Sequence, residues 1–168
     1  MALQLYKIAT VEVGSAGAST IDFTSIPQGY TDLLLVSSTR VQTLAYEGEG
    51  LIIRFNGATT NYTQKQLYGN GSTAASYSGT KIYAGRSTSN SATANTFSNN
   101  QCYIPNYSGA TNKSLSTDGV NENNATAAGT DLEAGLWSST AAITSISLLP
   151  DAASTILQYS TATLYGIL

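Results

Sequence analysis

The chain contains the run Leu51-Ile52-Ile53-Arg54-Phe55-Asn56-Gly57, in which a mostly apolar segment ends at an Asn-Gly pair. β-Branched and aromatic residues favour extended backbone, and Asn-Gly tolerates the positive φ angles of tight turns. The run therefore predicts a short strand that stops at a turn. Residues 32–40 repeat this behaviour. Their first half is continuously apolar, which predicts a strand covered on both faces at that end.

Similar short segments recur along the rest of the chain at intervals of roughly 8 to 15 residues, and none has the 3.6-residue apolar period of a helix. The predicted strands span residues 3–13 with an irregularity near Ile8, 19–23, 32–40, 51–55, 66–68, 81–83, 96–97, 102–105, 113–120, 132–137, 142–149, 155–159 and 161–167. This pattern predicts an all-β fold, a single-domain antiparallel β-sandwich of the jelly-roll type over residues 1–168. Residues 58–95 are rich in Ser, Thr, Gly, Asn and Tyr, and we expect an exposed, polar, loop-rich region there.

The chain carries few charges and no histidine, with 7 Lys or Arg, 10 Asp or Glu and a net charge of −3. Basic residues this few and scattered cannot form a phosphate-binding stripe, so we expect no direct contact with nucleic acid. Without histidine, Ser-His-Asp and Cys-His nucleophile systems are excluded, as are histidine metal sites. We therefore expect a protein that is not an enzyme and that has no cofactor and no metal.

Two carboxylate pairs retain the chemistry of a glycosidase, which needs two acids about 5 to 10 Å apart in a cleft. These pairs are Asp118 with Glu122, and Asp131 with Glu133. Asp118 precedes a glycine at the predicted end of a strand, where Asp commonly hydrogen-bonds the backbone of a turn. The turn interpretation of Asp118 is favoured over catalysis.

The single cysteine and a pair of glutamates have structural interpretations. Cys102 excludes an intrachain disulfide and lies in a strand-like run, so we expect a small buried side chain. Glu47 and Glu49 flank Gly48 in a predicted hairpin tip, where solvated charge is the favoured interpretation.

The N-terminal residues 1–13 alternate polar and apolar side chains and lack the basic and apolar regions of a signal peptide. No stretch approaches the ~18 apolar residues of a membrane-spanning helix. We expect a protein made in a cytoplasm and without membrane contact.

Aromatic residues supply the candidate surface-binding positions. Tyr combined with Ser, Gly and Asn is the composition of adaptable recognition surfaces, although strand tyrosines more often pack on a sheet. Packing is favoured over ligand binding for the tyrosines, and for the tryptophan the core or a subunit interface is favoured over a sugar platform. The candidate residues are Tyr62, Tyr68, Tyr77, Tyr83, Tyr107 and Trp137.

Several runs, spread over nearly the whole chain, resemble small structural proteins of tailed bacteriophages, especially cyanophages and other marine phages. The runs are Ile21-Asp22-Phe23-Thr24-Ser25-Ile26-Pro27-Gln28-Gly29-Tyr30-Thr31-Asp32-Leu33, Arg54-Phe55-Asn56-Gly57 with Asn61-Tyr62, Ile104-Pro105-Asn106-Tyr107, and Ser160-Thr161-Ala162-Thr163-Leu164-Tyr165-Gly166-Ile167. The resemblance implies a β-structured virion component, either a capsid decoration (cement) protein or a tail-fibre or appendage protein.

A cement protein of this kind would form a homotrimer, bind the major capsid protein or other virion subunits, and stabilise the shell by burying area between capsomers. A fibre subunit would instead bind a host surface polysaccharide or receptor. Decoration is the preferred expectation, because the chain has no coiled coil and no β-helical shaft. The expected location is the virion, after synthesis in the host bacterial cytoplasm.

Overall fold

The structure is a computed structural model that describes residues 4–42, 48–122, 124 and 128–168. Those residues form strands, turns and loops, and no helix among them could cross a membrane. The strands are β1 (Leu5–Glu12), β2 (Ile21–Phe23), β3 (Asp32–Ser38), β4 (Arg40–Gln42), β5 (Gly48–Phe55), β6 (Tyr62–Gly69), β7 (Ala74–Gly79), β8 (Tyr83–Ser89), β9 (Asn99–Pro105), β10 (Lys113–Val120), β11 (Thr130–Trp137), β12 (Ile146–Pro150), β13 (Thr155–Ile156) and β14 (Thr161–Ile167).

The strands form an eight-stranded sheet in the order β1-β14-β3-β9-β10-β11-β6-β7 and a six-stranded sheet in the order β13-β4-β8-β5-β12-β2. Paired strands run antiparallel, except that β4 and β8 are parallel. The two sheets form a β-sandwich, which confirms the predicted all-β class. The jelly-roll connectivity stays a prediction.

Alternating side chains divide each strand of the larger sheet into an inner and an outer face, because successive residues of a strand point in opposite directions. Strand β10 alternates strictly, with Leu115 and Thr117 buried and Ser114 and Ser116 exposed. Strand β3, which contains the continuous apolar run Leu33-Leu34-Leu35-Val36, alternates between buried and half-buried residues, so its outer face is only partly covered.

An aromatic cluster of Phe55, Tyr62 and Trp137 fills one end of the interior. The ring of Phe55 lies 5.5 Å from that of Trp137 and 6.2 Å from that of Tyr62. The Phe55 N–H donates to the Tyr62 hydroxyl at 2.9 Å, so the polar tip of this buried tyrosine has a partner. Tyr107 is also buried, and its hydroxyl donates to the Pro27 carbonyl. Of the two interpretations of Trp137, the structure places it in the core.

Cys102 is buried, as expected, on the inner face of β9. Burial raises the pKa of its thiol to about 12, from an ordinary value of 9.0. A thiol with this pKa stays protonated at neutral pH, and its role is packing.

The prediction for residues 58–95 is wrong in two respects. This region holds the complete strands β6, β7 and β8, and much of β8 is buried rather than exposed. Ser87, Thr88 and Ser89 are all buried, and the hydroxyl of Ser87 hydrogen-bonds that of Thr39. Composition alone does not distinguish such a buried polar strand from a loop.

Other differences concern single segments. Asp118 lies within β10 rather than in a turn, and residues 96–97 form no strand. The predicted strand 142–149 begins only at Ile146, and the predicted strand 155–159 is reduced to its first two residues, β13.

The prediction of solvated charge at Glu49 is wrong, and Glu47 lies outside the described residues. Glu49 is buried in β5, where its carboxylate accepts bonds from the Ala152 N–H and, at 3.2 Å, from the Ser154 hydroxyl. These partners are about a hundred positions away, so the local sequence gives no sign of them.

Candidate functional site

The inner face of the eight-stranded sheet changes from apolar to polar along its strands. On β6 the inward residues run from Tyr62 to Gln64 and Gln66, and β11 runs alongside in the opposite direction. Trp137 therefore pairs with Tyr62, whereas Glu133 pairs with Gln66. Polar residues of several strands meet at one end of the interior. This polar layer consists of Gln64, Gln66, Arg86, Asn100, Asp131 and Glu133.

Two buried carboxylates lie at the centre of the polar layer. The Gln66 Nε2 donates to Asp131 Oδ1 at 2.8 Å and to Glu133 Oε1 at 3.3 Å, so one amide bridges both acids. Arg86 Nε donates to Asp131 Oδ1 at 3.1 Å in an ion pair. The Tyr83 N–H donates to Glu133 Oε2 at 3.2 Å. Both acids are therefore held by hydrogen bonds from two neighbouring strands.

Burial and mutual repulsion decide the protonation of this pair. Burial, and after it the Asp131 charge, raises the pKa of Glu133 to about 8, from an ordinary value of 4.5. Burial also raises the pKa of Asp131, and the charge of Arg86 opposes this shift. At neutral pH Glu133 is therefore mainly protonated, and Arg86 faces the carboxyl of Asp131.

Asn100 links the two sheets by hydrogen bonds beside these acids. Its Oδ1 accepts the Arg86 N–H at 3.2 Å, and its Nδ2 donates to the Arg86 carbonyl at 2.9 Å. Gly85 makes room for this contact, because a Cβ there would lie 2.2 Å from Asn100 Oδ1. The backbone of Gly85 also has a φ of +93°, which other residues rarely adopt.

Neither carboxylate pair forms an open acid-base cleft. Asp131 and Glu133 are only 1% and 4% exposed, so a glycosidic bond cannot reach the space between them. Asp118 lies on the outer face of β10 and accepts a bond from Gln101 Nε2 at 3.1 Å, and Glu122 accepts the Asn124 N–H at 2.7 Å. In the described part of the chain, no three Cys, Asp or Glu residues are grouped so as to hold a metal ion.

A small cavity of about 160 Å³ opens beside the polar layer. The Arg86 guanidinium carbon lies 5.6 Å from the centre of the Tyr68 ring, which forms one side of the cavity. Asp131 Oδ2 is buried and has no hydrogen-bond partner among the described residues. We call the cavity of about 160 Å³ the Arg86 cavity. It is lined by Tyr68, Gly69, Asn70, Arg86, Asn121, Gly129, Thr130 and Asp131.

The structure divides the predicted aromatic positions into three groups. Tyr62, Tyr107 and Trp137 are core residues. Tyr68 and Tyr77 are 37% and 52% exposed. Tyr83 is half-buried, and its hydroxyl donates to Asp151 Oδ2 at 2.7 Å. Burial and this aspartate raise the pKa of Tyr83.

The outer face of the same sheet carries exposed apolar side chains. Leu67 on β6 and Leu132 on β11 lie directly opposite each other and are 61% and 58% exposed. Both leucines line two shallow depressions of about 450 and 740 Å³. With the exposed Ala134 they form what we call the outer patch. Strand β7 next to it is an edge strand, and among the described residues it pairs only with β6.

Sequence reasoning considered Asp131, Glu133 and Tyr68 but missed Arg86 and Gln66. One available signal is parity, since Asp131 and Glu133 are separated from Trp137 by even numbers of residues on one strand. If Trp137 is buried, both acids must also face inward. No comparable signal exists for Arg86, because its partner lies on a strand that is distant in sequence.

Comparison with family models, curated proteins and solved structures found no match for this chain.

Proposed function

We propose that this protein is a structural subunit of a bacteriophage virion, and specifically a capsid decoration protein that stabilises the shell. The phage assignment rests on the resemblance of the sequence runs that include Arg54-Phe55-Asn56-Gly57 and Ile104-Pro105-Asn106-Tyr107. The observation that carries the structural role is the outer patch, because it suits contact with another subunit rather than chemistry.

The outer patch places two large leucines side by side in water. Burying exposed Leu side chains is favourable by about 1.5 to 3 kcal/mol each, so a neighbouring subunit gains by covering them. The flanking strand β7 has the sequence Ala-Ala-Ser-Tyr-Ser-Gly, without charge or proline. Charged side chains and prolines are the features that normally protect an edge strand from pairing. An apolar patch beside an unprotected edge favours assembly with a neighbouring copy or with the major capsid protein.

We expect the isolated protein to form a homotrimer through this surface, as the resemblance implies. The double variant Leu67→Gln with Leu132→Gln should lose the trimer in sedimentation or light-scattering measurements, while its circular dichroism stays unchanged. Leu5→Gln is the matched control, because Leu5 is an exposed leucine on β1, at the opposite edge of the same sheet. A double variant that assembles like the control would reject the outer patch as an interface.

The location on the particle is tested separately by cryo-electron microscopy of virions with and without the gene product. Loss of shell protrusions, together with a copy number comparable with that of the capsomers, is the expected result. Loss of tail appendages at low copy number would contradict decoration.

A second candidate is a tail-fibre or appendage protein that binds a host surface polysaccharide or receptor. The observation that favours it is the Arg86 cavity, in which Tyr68 lies beside charged and amide side chains. The same microscopy distinguishes the two candidates.

A further inference from the structure

We propose that the Arg86 cavity binds one neutral, hydroxyl-rich sugar unit of a glycan, with Tyr68 and Arg86 as its contacts. This inference deepens the appendage candidate, yet it does not depend on where the subunit lies in the particle.

The guanidinium of Arg86 supplies hydrogen-bond donors to this space. Arg86 uses Nε for Asp131 Oδ1, and no other hydrogen bond of its guanidinium is found within the described ranges. Its terminal N–H groups are therefore available to a ligand oxygen. The hydroxyl oxygens of a sugar can accept hydrogen bonds from these N–H groups.

Tyr68 supplies the apolar side of the cavity. The C–H face of a pyranose packs against an aromatic ring, and Tyr combines such a surface with a hydrogen-bonding tip. The position of Arg86 against this ring fixes both side chains, so the site loses little side-chain freedom when a ligand binds.

Charge and size narrow the ligand class. Arg86 and Asp131 form an ion pair, so the cavity lacks the excess positive charge that a phosphate or a carboxylate ligand would need. A volume of about 160 Å³ equals that of roughly five water molecules in the liquid, which suits a single sugar unit rather than a longer stretch of chain.

The test is saturation-transfer NMR and titration of the purified protein with D-glucose, D-galactose, D-mannose and N-acetylglucosamine. Inorganic phosphate and D-glucuronate are titrated in the same way as anionic ligands for comparison. We expect at least one neutral sugar to bind, with a millimolar Kd, and both anions to bind at least tenfold more weakly.

Two tyrosine variants complete the experiment. Tyr68→Ala should weaken sugar binding about tenfold or more, in the range measured for the loss of a good packing contact. Tyr77→Ala is the matched control, an exposed tyrosine on the neighbouring strand outside the cavity, and it should leave the Kd unchanged. Both are partly exposed, so circular dichroism should show intact folds.

Three outcomes would overturn the inference: no neutral sugar binds, an anion binds more tightly than every sugar, or Tyr68→Ala and Tyr77→Ala behave alike. None of them bears on the virion assignment, which the particle experiments address independently.

Discussion

The aromatic cluster and the polar layer fill opposite ends of the same interior by different means. Phe55, Tyr62 and Trp137 exclude water through area and shape, and nearly all of their contacts are non-directional. In the polar layer, Gln66, Asn100 and Arg86 fill the space through hydrogen bonds of fixed geometry. Apolar packing tolerates substitutions that conserve volume, whereas a polar network loses stability when any one partner is removed.

This difference has a consequence for function. The aromatic cluster is closed to solvent, but the polar layer continues into the Arg86 cavity, which Arg86 and Asp131 both line. A polar network that reaches the surface can exchange a protein partner for a ligand. The candidate binding site therefore lies at the polar end of the sandwich.

The largest effect should come from the aromatic cluster. Phe55→Ala removes a fully buried ring and should lower the free energy of unfolding by about 3 to 5 kcal/mol, through lost burial and the cavity that remains. Urea unfolding followed by Trp137 fluorescence measures this change. Phe55→Leu, which keeps most of the volume, should cost less than about 1.5 kcal/mol. Equal losses in both variants would mean that the cluster depends on ring geometry rather than on volume.

The next effect should come from Asn100. Asn100→Ala leaves the N–H and carbonyl of Arg86 without their side-chain partner and should cost about 2 to 3 kcal/mol, because each buried polar group left unpaired costs about 1 to 3 kcal/mol. The control is Asn99→Ala, since Asn99 lies exposed on the same strand, and it should change stability by less than about 0.5 kcal/mol. An unchanged free energy of unfolding for Asn100→Ala would contradict the dependence of the polar layer on each hydrogen-bond partner.

A smaller, pH-dependent effect should come from Glu133. Its folded-state pKa of about 8 lies above the ordinary 4.5, so its contribution to stability is fully present below pH 4.5 and is lost as the pH rises through about 8. Asp131, whose pKa is also raised, acts in the same direction. As the pH rises from 5 to 8, the free energy of unfolding of Glu133→Gln should therefore increase relative to that of wild type by at least about 1 kcal/mol. Urea unfolding at several pH values measures this difference, and parallel profiles would contradict a protonated Glu133.

The smallest effect on stability should come from the outer patch. Leu132→Gln replaces an exposed side chain, so the free energy of unfolding of the dissociated subunit should change by less than about 0.5 kcal/mol. A loss comparable with that of Asn100→Ala would show that this leucine supports the fold rather than an interface.

Strand positions in the apolar part of the chain could be predicted from the sequence, because alternation and turn residues act locally. The run Leu51-Ile52-Ile53-Arg54-Phe55 is the end of β5, and Asn56 and Gly57 both adopt positive φ, as a turn signal requires. Strand β8 could not be predicted in the same way. Its buried Ser87, Thr88 and Ser89 have the composition of a loop, and only the tertiary structure gives them an interior position.

The candidate site was only partly predictable for the same reason. Tyrosines were recognised as a group, but their local sequences do not separate Tyr62 in the core from Tyr68 beside the cavity. The two lie six positions apart, and both point inward on β6. What separates them is the position of the other sheet, which covers one end of the strand more completely than the other.

The sequence by itself determined the all-β class, the burial of Cys102 and the absence of histidine chemistry, because these depend on composition and on a two-residue period. Only the tertiary structure decided which polar side chains lie inside. It joined Arg86 of β8 to Asp131 of β11 and Asn100 of β9 to the backbone of β8. The physical reason is that a buried polar group is stable only with a partner, and the sheet topology brings together partners that lie far apart along the chain.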